Sequence, residues 1–144
     1  MNSFKHKIQT PHIAADGIIK IFDDKENFKG IVLITRKNPP LGLALPGGFV
    51  DIGEKVEDAL KREMKEEVSL DVTNLKLLGV YSDPKRDERF HCVSCSYICK
   101  AYGTPIAADD AKTARIYSLN EIPFDKLVFD HKQIVKDFIK HEGL

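Results

Sequence analysis

The stretch GGFVDIGEKVEDALKREMKEEVSL, residues 47–70, determines how the rest of the sequence is interpreted. It opens with a glycine pair that is typical of a loop, and the pattern that follows predicts a helix over residues 54–68. Its glutamates include four that bear on its role, Glu54, Glu63, Glu66 and Glu67. Their phase around the helix distinguishes a solvated acidic face from a binding site.

Two of these glutamates share the apolar face of the predicted helix. Because an α-helix advances about 100° per residue, Glu63 and Glu67 fall within about 20° of Val56, which lies on the apolar arc. Glu66 falls at the edge of that arc, about 80° from Val56. Carboxylates that face a protein interior must be protonated, paired with a cation or bound to a metal ion. Glu63 and Glu67 also repel each other as like charges at i and i+4.

A divalent cation would remove both the burial cost and the repulsion between these carboxylates. Oxygen ligands without clustered histidine or cysteine favour Mg²⁺, with Mn²⁺ as the alternative, over zinc. The competing interpretation is an acidic helix that is neutralised by Arg62 and nearby lysines. Two roles stay open for Glu54, an interaction with the helix dipole or an ion pair with Arg62.

Length and composition indicate a single globular domain over residues 1–144. Hydrophobic residues make up 42% of the chain and charged residues 31%, as in a folded protein. Lys and Arg total 22, as do Asp and Glu, so charge gives no general attraction to nucleic acid or anionic membranes. The apolar runs are too short to span a bilayer, and the first residues lack the apolar region of a signal peptide. We therefore expect a cytoplasmic protein.

The order of predicted elements indicates an α+β fold. Strands are predicted at residues 12–24, 30–37, 75–84, 89–102 and 113–119, with a short extended piece at 43–45 inside a proline-containing loop. A second helix is predicted over residues 130–141, where Asp130 and Gln133 have the spacing of a capping box. Strands that precede and follow a single helix favour a mixed sheet between helices.

The opening stretch resembles the Nudix box, G-x5-E-x7-R-E-U-x-E-E-x-G-U, where U is apolar. Gly48, Glu54 and the run REMKEE at 62–67 match it in spacing, and the sequence departs from it only at Ser69, where the family has glycine. The resemblance implies an α/β/α sandwich around a mixed sheet. The glycine position lies just past the helix end, where a left-handed conformation is common, and serine there costs up to about 1 kcal/mol.

The resemblance also implies roles for the residues of the box. Implied as Mg²⁺ ligands are Gly47 through its carbonyl oxygen, Glu63, Glu66 and Glu67. Implied as structural are Gly48, Glu54 and Arg62, the last by orienting the glutamates through ion pairs. The general base stays open between Glu66 and the pair Asp109 and Asp110, which lie in a loop before a strand. The alternative for these aspartates is a turn or capping role.

The segment SDPKRDER, residues 82–89, resembles the ADP-ribose pyrophosphatase group. Arg86 and Arg89 offer charge-assisted donors for phosphate, and Asp87 can accept a hydrogen bond from a ribose hydroxyl. The alternative is a surface turn with alternating charges. We therefore predict Mg²⁺-dependent hydrolysis of a nucleoside diphosphate linked to another group, most simply ADP-ribose to AMP and ribose 5-phosphate.

Two other functions stay open at this point. One is a nucleoside triphosphate pyrophosphohydrolase of the housecleaning type, and the other is a non-catalytic Nudix ligand-binding module. The expected partner is a small-molecule nucleotide, with no nucleic acid and no membrane. The resemblance is compatible with a homodimer, on which the sequence itself is silent.

Overall fold

The computed structural model describes residues 8–144, which contain seven strands and two α-helices. The strands are β1 (His12–Phe22), β2 (Phe28–Arg36), β3 (Leu43–Ala44), β4 (Gly47–Phe49), β5 (Thr73–Tyr81), β6 (Cys92–Tyr102) and β7 (Ala111–Tyr117). The helices are α1 (Val56–Val68) and α2 (His131–Glu142), and short 3-10 turns occupy Leu119–Glu121 and Phe124–Lys126. Within these described residues, neither helix has the length and apolar character needed to cross a membrane.

The strands form one mixed sheet in the order β3-β2-β1-β6-β5, with β4 beside β1 and β7 beside β2. β1 and β6 are parallel, whereas the other pairs are antiparallel. β1 changes partner along its length, because it pairs with β2 from Lys20 to Phe22 and with β4 from Ala14 to Asp16. β1 and β2 therefore separate from each other toward the start of β1, and β4 pairs with β1 in the gap between them.

Each face of the sheet is covered by one helix and its own hydrophobic core. Leu60 and Met64 of α1 pack on one face with Ile19 and Val32, and Ile134 and Phe138 of α2 pack on the other with Ile18 and Leu33. The continuous apolar run of β2 follows from this double coverage, since both sets of alternating side chains are buried. The predicted α/β/α sandwich with a mixed sheet is confirmed.

The ends of the helices differ in part from their prediction. α1 begins at Val56, with Lys55 at the N-cap, so Glu54 belongs to the preceding turn. Ser69 follows the helix in the left-handed conformation, with φ 61° and ψ 35°, as its place in the box predicted. The predicted capping box before α2 is wrong: Asp130 stands at the N-cap position, but its side chain forms no cap hydrogen bond and is bonded to Arg86.

The glycine pair that the sequence indicated as a loop is part of β4. Gly47 and Gly48 pair with Asp16 and Ala15 of β1. A Cβ atom at Gly47 would collide with the side chain of Asp16, and one at Gly48 would collide with the carboxylate of Glu63. Glycine at both positions therefore lets β4 approach β1 and α1 closely enough to be paired, and this approach forms the floor of the site described next.

Candidate active site

A cavity of about 370 Å³ lies where the sheet divides. β1, β4, α1, the loop between β5 and β6, and the segment before α2 all contribute to it. Its ionisable lining residues are Asp16, Arg36, Asp51, Glu63, Glu67, Arg86, Asp87, Arg89, Asp110 and His131. Both carboxylates and guanidinium groups therefore face one enclosed space.

Glu67 is the most enclosed carboxylate that α1 presents to the cavity. Its side chain is buried, with 4% of the residue exposed, and its Oε1 accepts a hydrogen bond from the Gly47 N–H at 2.9 Å. Burial raises the pKa of Glu67 to about 8. The Gly47 hydrogen bond opposes this shift, whereas the charges of Glu63, Asp16 and Asp110 add to it. The placement of Glu67 on the buried face of the helix, predicted from its phase, is confirmed.

Arg62 is hydrogen-bonded to three of the four glutamates. Its Nε and Nη2 donate to the two oxygens of Glu54 at 2.8 and 2.9 Å, and its Nη1 donates to Glu63 at 2.8 Å and Glu66 at 3.2 Å. Nη2 also donates to the carbonyl of Phe49 at 3.0 Å. These bonds show that Glu54 pairs with Arg62, and they lower the pKa of Glu54 to about 2. Burial raises the pKa of Glu63, and Arg62 opposes that shift.

The chemistry of these carboxylates fits a hard divalent cation. Within residues 8–144, Glu67 forms no ion pair. The charges that act on it are those of the carboxylates Glu63, Asp16 and Asp110 and of the guanidinium group of Arg36. No group of three or more His, Cys, Asp or Glu side chains in this range is already gathered tightly enough to hold a metal ion. Arg62 holds Glu63 and Glu66 through one oxygen each, which leaves oxygen ligands beside the buried Glu67.

The two aspartates predicted as alternative bases occupy different environments. Asp110 lines the cavity, and its charge acts on both Glu63 and Glu67. Asp109 is not among the lining residues and has a positive φ of 49°, in a turn that the hydrogen bond from Ala111 N–H to the Ala108 carbonyl closes. The geometry therefore places Asp110, rather than Asp109, beside the glutamates.

The predicted substrate-binding residues also line the cavity, but each already has a protein partner. Arg86 is 9% exposed and forms a bidentate pair with Asp130, at 2.9 Å from Nε to Oδ2 and 2.6 Å from Nη2 to Oδ1. Asp87 is buried and accepts from Arg89 Nε at 3.0 Å and Nη2 at 2.8 Å. Arg89 is the more exposed of the two arginines. Contacts of these residues with phosphate or ribose stay predictions.

Several residues of the cavity were not found from the sequence. Asp16 is buried on β1 and bonded to Ser94, whose hydroxyl lies 2.8 Å from that of Ser96. The sequence does contain a signal for Asp16, because a lone carboxylate inside the apolar run IAADGIIKIF indicates a buried polar residue. His131 is buried, accepts a hydrogen bond from the Leu45 N–H at 2.9 Å, and has its pKa lowered to about 4 by burial. Nothing local in the sequence indicates that contact.

Sequence comparison connects most of the chain with one family. The NUDIX domain family pattern matches residues 11–138. The chain is also 48% identical over 133 residues to ADP-ribose pyrophosphatase from Methanocaldococcus jannaschii. That match covers 90% of this chain and 74% of the archaeal protein.

Solved structures of the same family have the same fold. A MutT/nudix family protein from Enterococcus faecalis superposes with a TM-score of 0.79 at 28% identity, over 94% of this chain and 63% of that one. A second structure is a bifunctional NMN adenylyltransferase/ADP ribose pyrophosphatase from Francisella tularensis, complexed with AMP and a manganese ion. It superposes with a TM-score of 0.74 at 26% identity, over 96% of this chain and 44% of that one. The chain thus spans less than two thirds of each of these structures. Because the family pattern covers nearly the whole sequence, the chain belongs to the NUDIX domain family.

Proposed function

We propose that this protein hydrolyses the diphosphate bond of ADP-ribose to give AMP and ribose 5-phosphate, with a divalent metal ion. The observation that carries the proposal is that one cavity holds Glu67, a buried carboxylate that forms no ion pair within residues 8–144, together with the guanidinium groups of Arg36 and Arg89. A diphosphate that joins adenosine to ribose carries concentrated negative charge, which a metal ion and positively charged donors neutralise. The 48% identity to an ADP-ribose pyrophosphatase supports the choice of substrate.

The residues proposed to hold the metal ion are Glu63, Glu66, Glu67 and the carbonyl oxygen of Gly47. Their oxygen ligands favour Mg²⁺, with Mn²⁺ as the alternative, and the manganese ion in the Francisella structure supports a divalent cation. When bound, such an ion neutralises charge on the diphosphate and lowers the pKa of a bound water. In this chain, the Gly47 N–H fixes the orientation of Glu67.

The remaining box residues position the glutamates. Arg62 joins Glu54 before the helix to Glu63 and Glu66 on it, so it fixes the turn that precedes α1 relative to the carboxylates. We propose Asp110 as the general base, since it lines the cavity, with Glu66 as the alternative. A base must lie within hydrogen-bond reach of the attacking water, and Asp109, unlike Asp110, is not among the residues that line the cavity.

A substrate panel tests this proposal. The purified protein is incubated with ADP-ribose, NADH, coenzyme A and nucleoside triphosphates in Mg²⁺, and products are separated by chromatography. The expected result is AMP and ribose 5-phosphate from ADP-ribose as the preferred reaction. If the main products are instead pyrophosphate and a nucleoside monophosphate from a triphosphate, the protein has the housecleaning activity and the proposal is wrong. Absence of turnover on every substrate would favour a ligand-binding module.

A matched pair of variants connects the activity with the glutamate cluster. Glu67→Gln is expected to lower turnover at least ~100-fold, because a key electrostatic group is lost. Glu57→Gln changes an exposed carboxylate in the first turn of the same helix and is expected to leave turnover within about twofold, as for other surface changes. Equal activities of the two variants would contradict the proposed metal ligand. We further propose that the protein acts in the cytoplasm on a small-molecule nucleotide.

A further inference from the structure

Phe129 adopts a backbone conformation that is unusual for a bulky residue. Its φ is 56°, in the left-handed region, which aromatic residues rarely adopt and which persists where surrounding contacts fix it. On one side, Val128 N–H donates to the Leu43 carbonyl at 2.9 Å. On the other, Asp130 is bound by Arg86 and His131 by Leu45. These contacts hold the Phe129 ring at the wall of the cavity.

Two guanidinium groups lie over this ring. The Cζ atom of Arg36 is 5.0 Å from the ring centroid and that of Arg89 is 5.2 Å from it. Both arginines line the cavity. Two cations so close to one ring repel each other, and the pKa of Arg36 is lowered by burial and by the charge of Arg89. The aromatic ring compensates part of this repulsion through cation–π contacts.

The two arginines differ in how their charges are neutralised. Arg89 forms an ion pair with Asp87 through two hydrogen bonds. Arg36 donates instead to backbone carbonyls, from Nε to Pro40 at 2.9 Å and Asn38 at 3.3 Å, and it forms no ion pair within the part of the chain that the structure describes. In this wall, Asp87 is therefore hydrogen-bonded to Arg89 alone, whereas Glu67, Asp110 and Asp87 act on Arg36 only through space and oppose the lowering of its pKa. A guanidinium group without a hydrogen-bonded carboxylate can donate to a phosphate group.

We infer that Arg36 binds the diphosphate of the substrate directly and that Phe129 is the positioning residue that holds Arg36 beside Arg89 for this contact. The inference rests on the proposed function for the identity of the substrate. A leucine at 129 would keep apolar bulk but remove the cation–π contacts with both guanidinium groups. Arg89 would still be held by Asp87 and by the Phe90 ring, whose centroid is 4.9 Å from its Cζ, so Arg36 is the group that would move away under their mutual repulsion. Tyrosine would preserve the ring and its contacts.

The chain offers matched controls for both residues. The ring of Phe22 has the Nζ atoms of Lys20 and Lys100 over it, at 5.7 and 4.5 Å, but Phe22 is not part of the cavity. Arg115 stacks over Tyr117 at 5.2 Å, again outside the cavity. Phe22→Leu and Arg115→Met therefore remove the same kinds of contact as Phe129→Leu and Arg36→Met without touching the site.

The experiment measures binding by calorimetry in Mg²⁺, with an ADP-ribose analogue whose bridging oxygen is replaced by methylene. Phe129→Leu and Arg36→Met are expected to weaken binding at least ~10-fold, as for loss of a charge-assisted contact, whereas Phe129→Tyr and both controls stay within about twofold. In kinetic assays, Phe129→Leu is expected to raise KM at least ~10-fold while kcat changes less than about threefold, since binding is lost uniformly. A general structural defect would not raise KM without a similar change in kcat, and tyrosine at 129 would not restore the wild-type values.

Inorganic pyrophosphate with Mg²⁺ separates this inference from the proposed function. If the wild-type protein fails to bind the ADP-ribose analogue, the substrate assignment is wrong, but the same variants are expected to weaken pyrophosphate binding in the same order. Equal affinities of Phe129→Leu and Phe22→Leu for both probes would overturn the role of Phe129. If Phe129→Leu does not fold, equal affinities of Arg36→Met and Arg115→Met would overturn the inference by themselves.

Discussion

Replacement of Glu67 by glutamine is expected to stabilise the metal-free protein while it abolishes most of the activity. Burial raises the pKa of Glu67 to about 8 in the folded chain, from the ordinary value of 4.5 for an exposed glutamate. The folded state therefore holds a proton at this position over a pH range in which the unfolded state has lost it. Because the unfolded chain binds fewer protons, stability falls as the pH rises from about 4.5 to 8 and then levels off.

The size of this effect follows from the two pKa values. At pH 7 the unfolded group is 7 − 4.5 = 2.5 pH units above its pKa, which at 1.36 kcal/mol per unit corresponds to a penalty of about 3 kcal/mol. At pH 5 the same calculation gives less than about 1 kcal/mol. Glutamine cannot ionise, and its side-chain oxygen can still accept the hydrogen bond from the Gly47 N–H. For a chain of this length, about 3 kcal/mol corresponds to roughly 10 °C in Tm.

The assay is urea unfolding of the wild type and Glu67→Gln in a chelator, at pH 5 and pH 7, with Glu57→Gln as the control. The variant is expected to be more stable than the wild type by a margin that grows by about 2 kcal/mol between these pH values. Added Mg²⁺ should stabilise the wild type and reduce the margin, since it binds only the ionised carboxylate. A margin that is the same at both pH values, or a variant less stable than the wild type, would refute the buried-carboxylate argument.

Two further predictions concern stability away from the glutamates. Asp130→Ala is expected to lower the free energy of unfolding by about 3 kcal/mol, because it leaves the buried guanidinium of Arg86 without its bidentate partner. Chemical unfolding measures this loss beside that of the exposed control Asp125→Ala, and a loss smaller than that of the control would contradict the prediction. Ser69→Gly is expected to raise the free energy of unfolding by up to about 1 kcal/mol, because glycine adopts the left-handed conformation without strain. An unchanged or lower Tm would show that the hydrogen bond from the Ser69 hydroxyl to the Ile106 carbonyl compensates for the strain.

The features that could be predicted from the sequence depend on local periodicity. The burial of Glu67 follows from a repeat of 3.6 residues, and the double coverage of β2 follows from an unbroken apolar run. The left-handed Ser69 follows from its position just after the helix. Each of these properties is fixed by neighbours within a few residues, so the sequence pattern contains the relevant information.

The features that could not be predicted depend on the topology of the sheet. Arg86 and Asp130 are 44 residues apart and meet because the loop between β5 and β6 lies against the start of α2. From the sequence alone, the local capping role was favoured for Asp130, because no pattern indicates a partner that far away. Gly47 and Gly48 were predicted as a loop for the same reason, since their pairing with β1 is a long-range contact.

We expect family membership and substrate choice to depend on different parts of this cavity. The Nudix box contributes one wall, β4 and α1, and that wall would serve a triphosphate as well as a diphosphate, since both need a metal ion. Arg36, Arg89 and Phe129 come from outside the box and meet at the cavity, where Arg36 forms no ion pair within residues 8–144. We therefore expect selection between these substrates to depend on this second group, so variants of it should change the ratio of KM values between substrates more than variants of the box do.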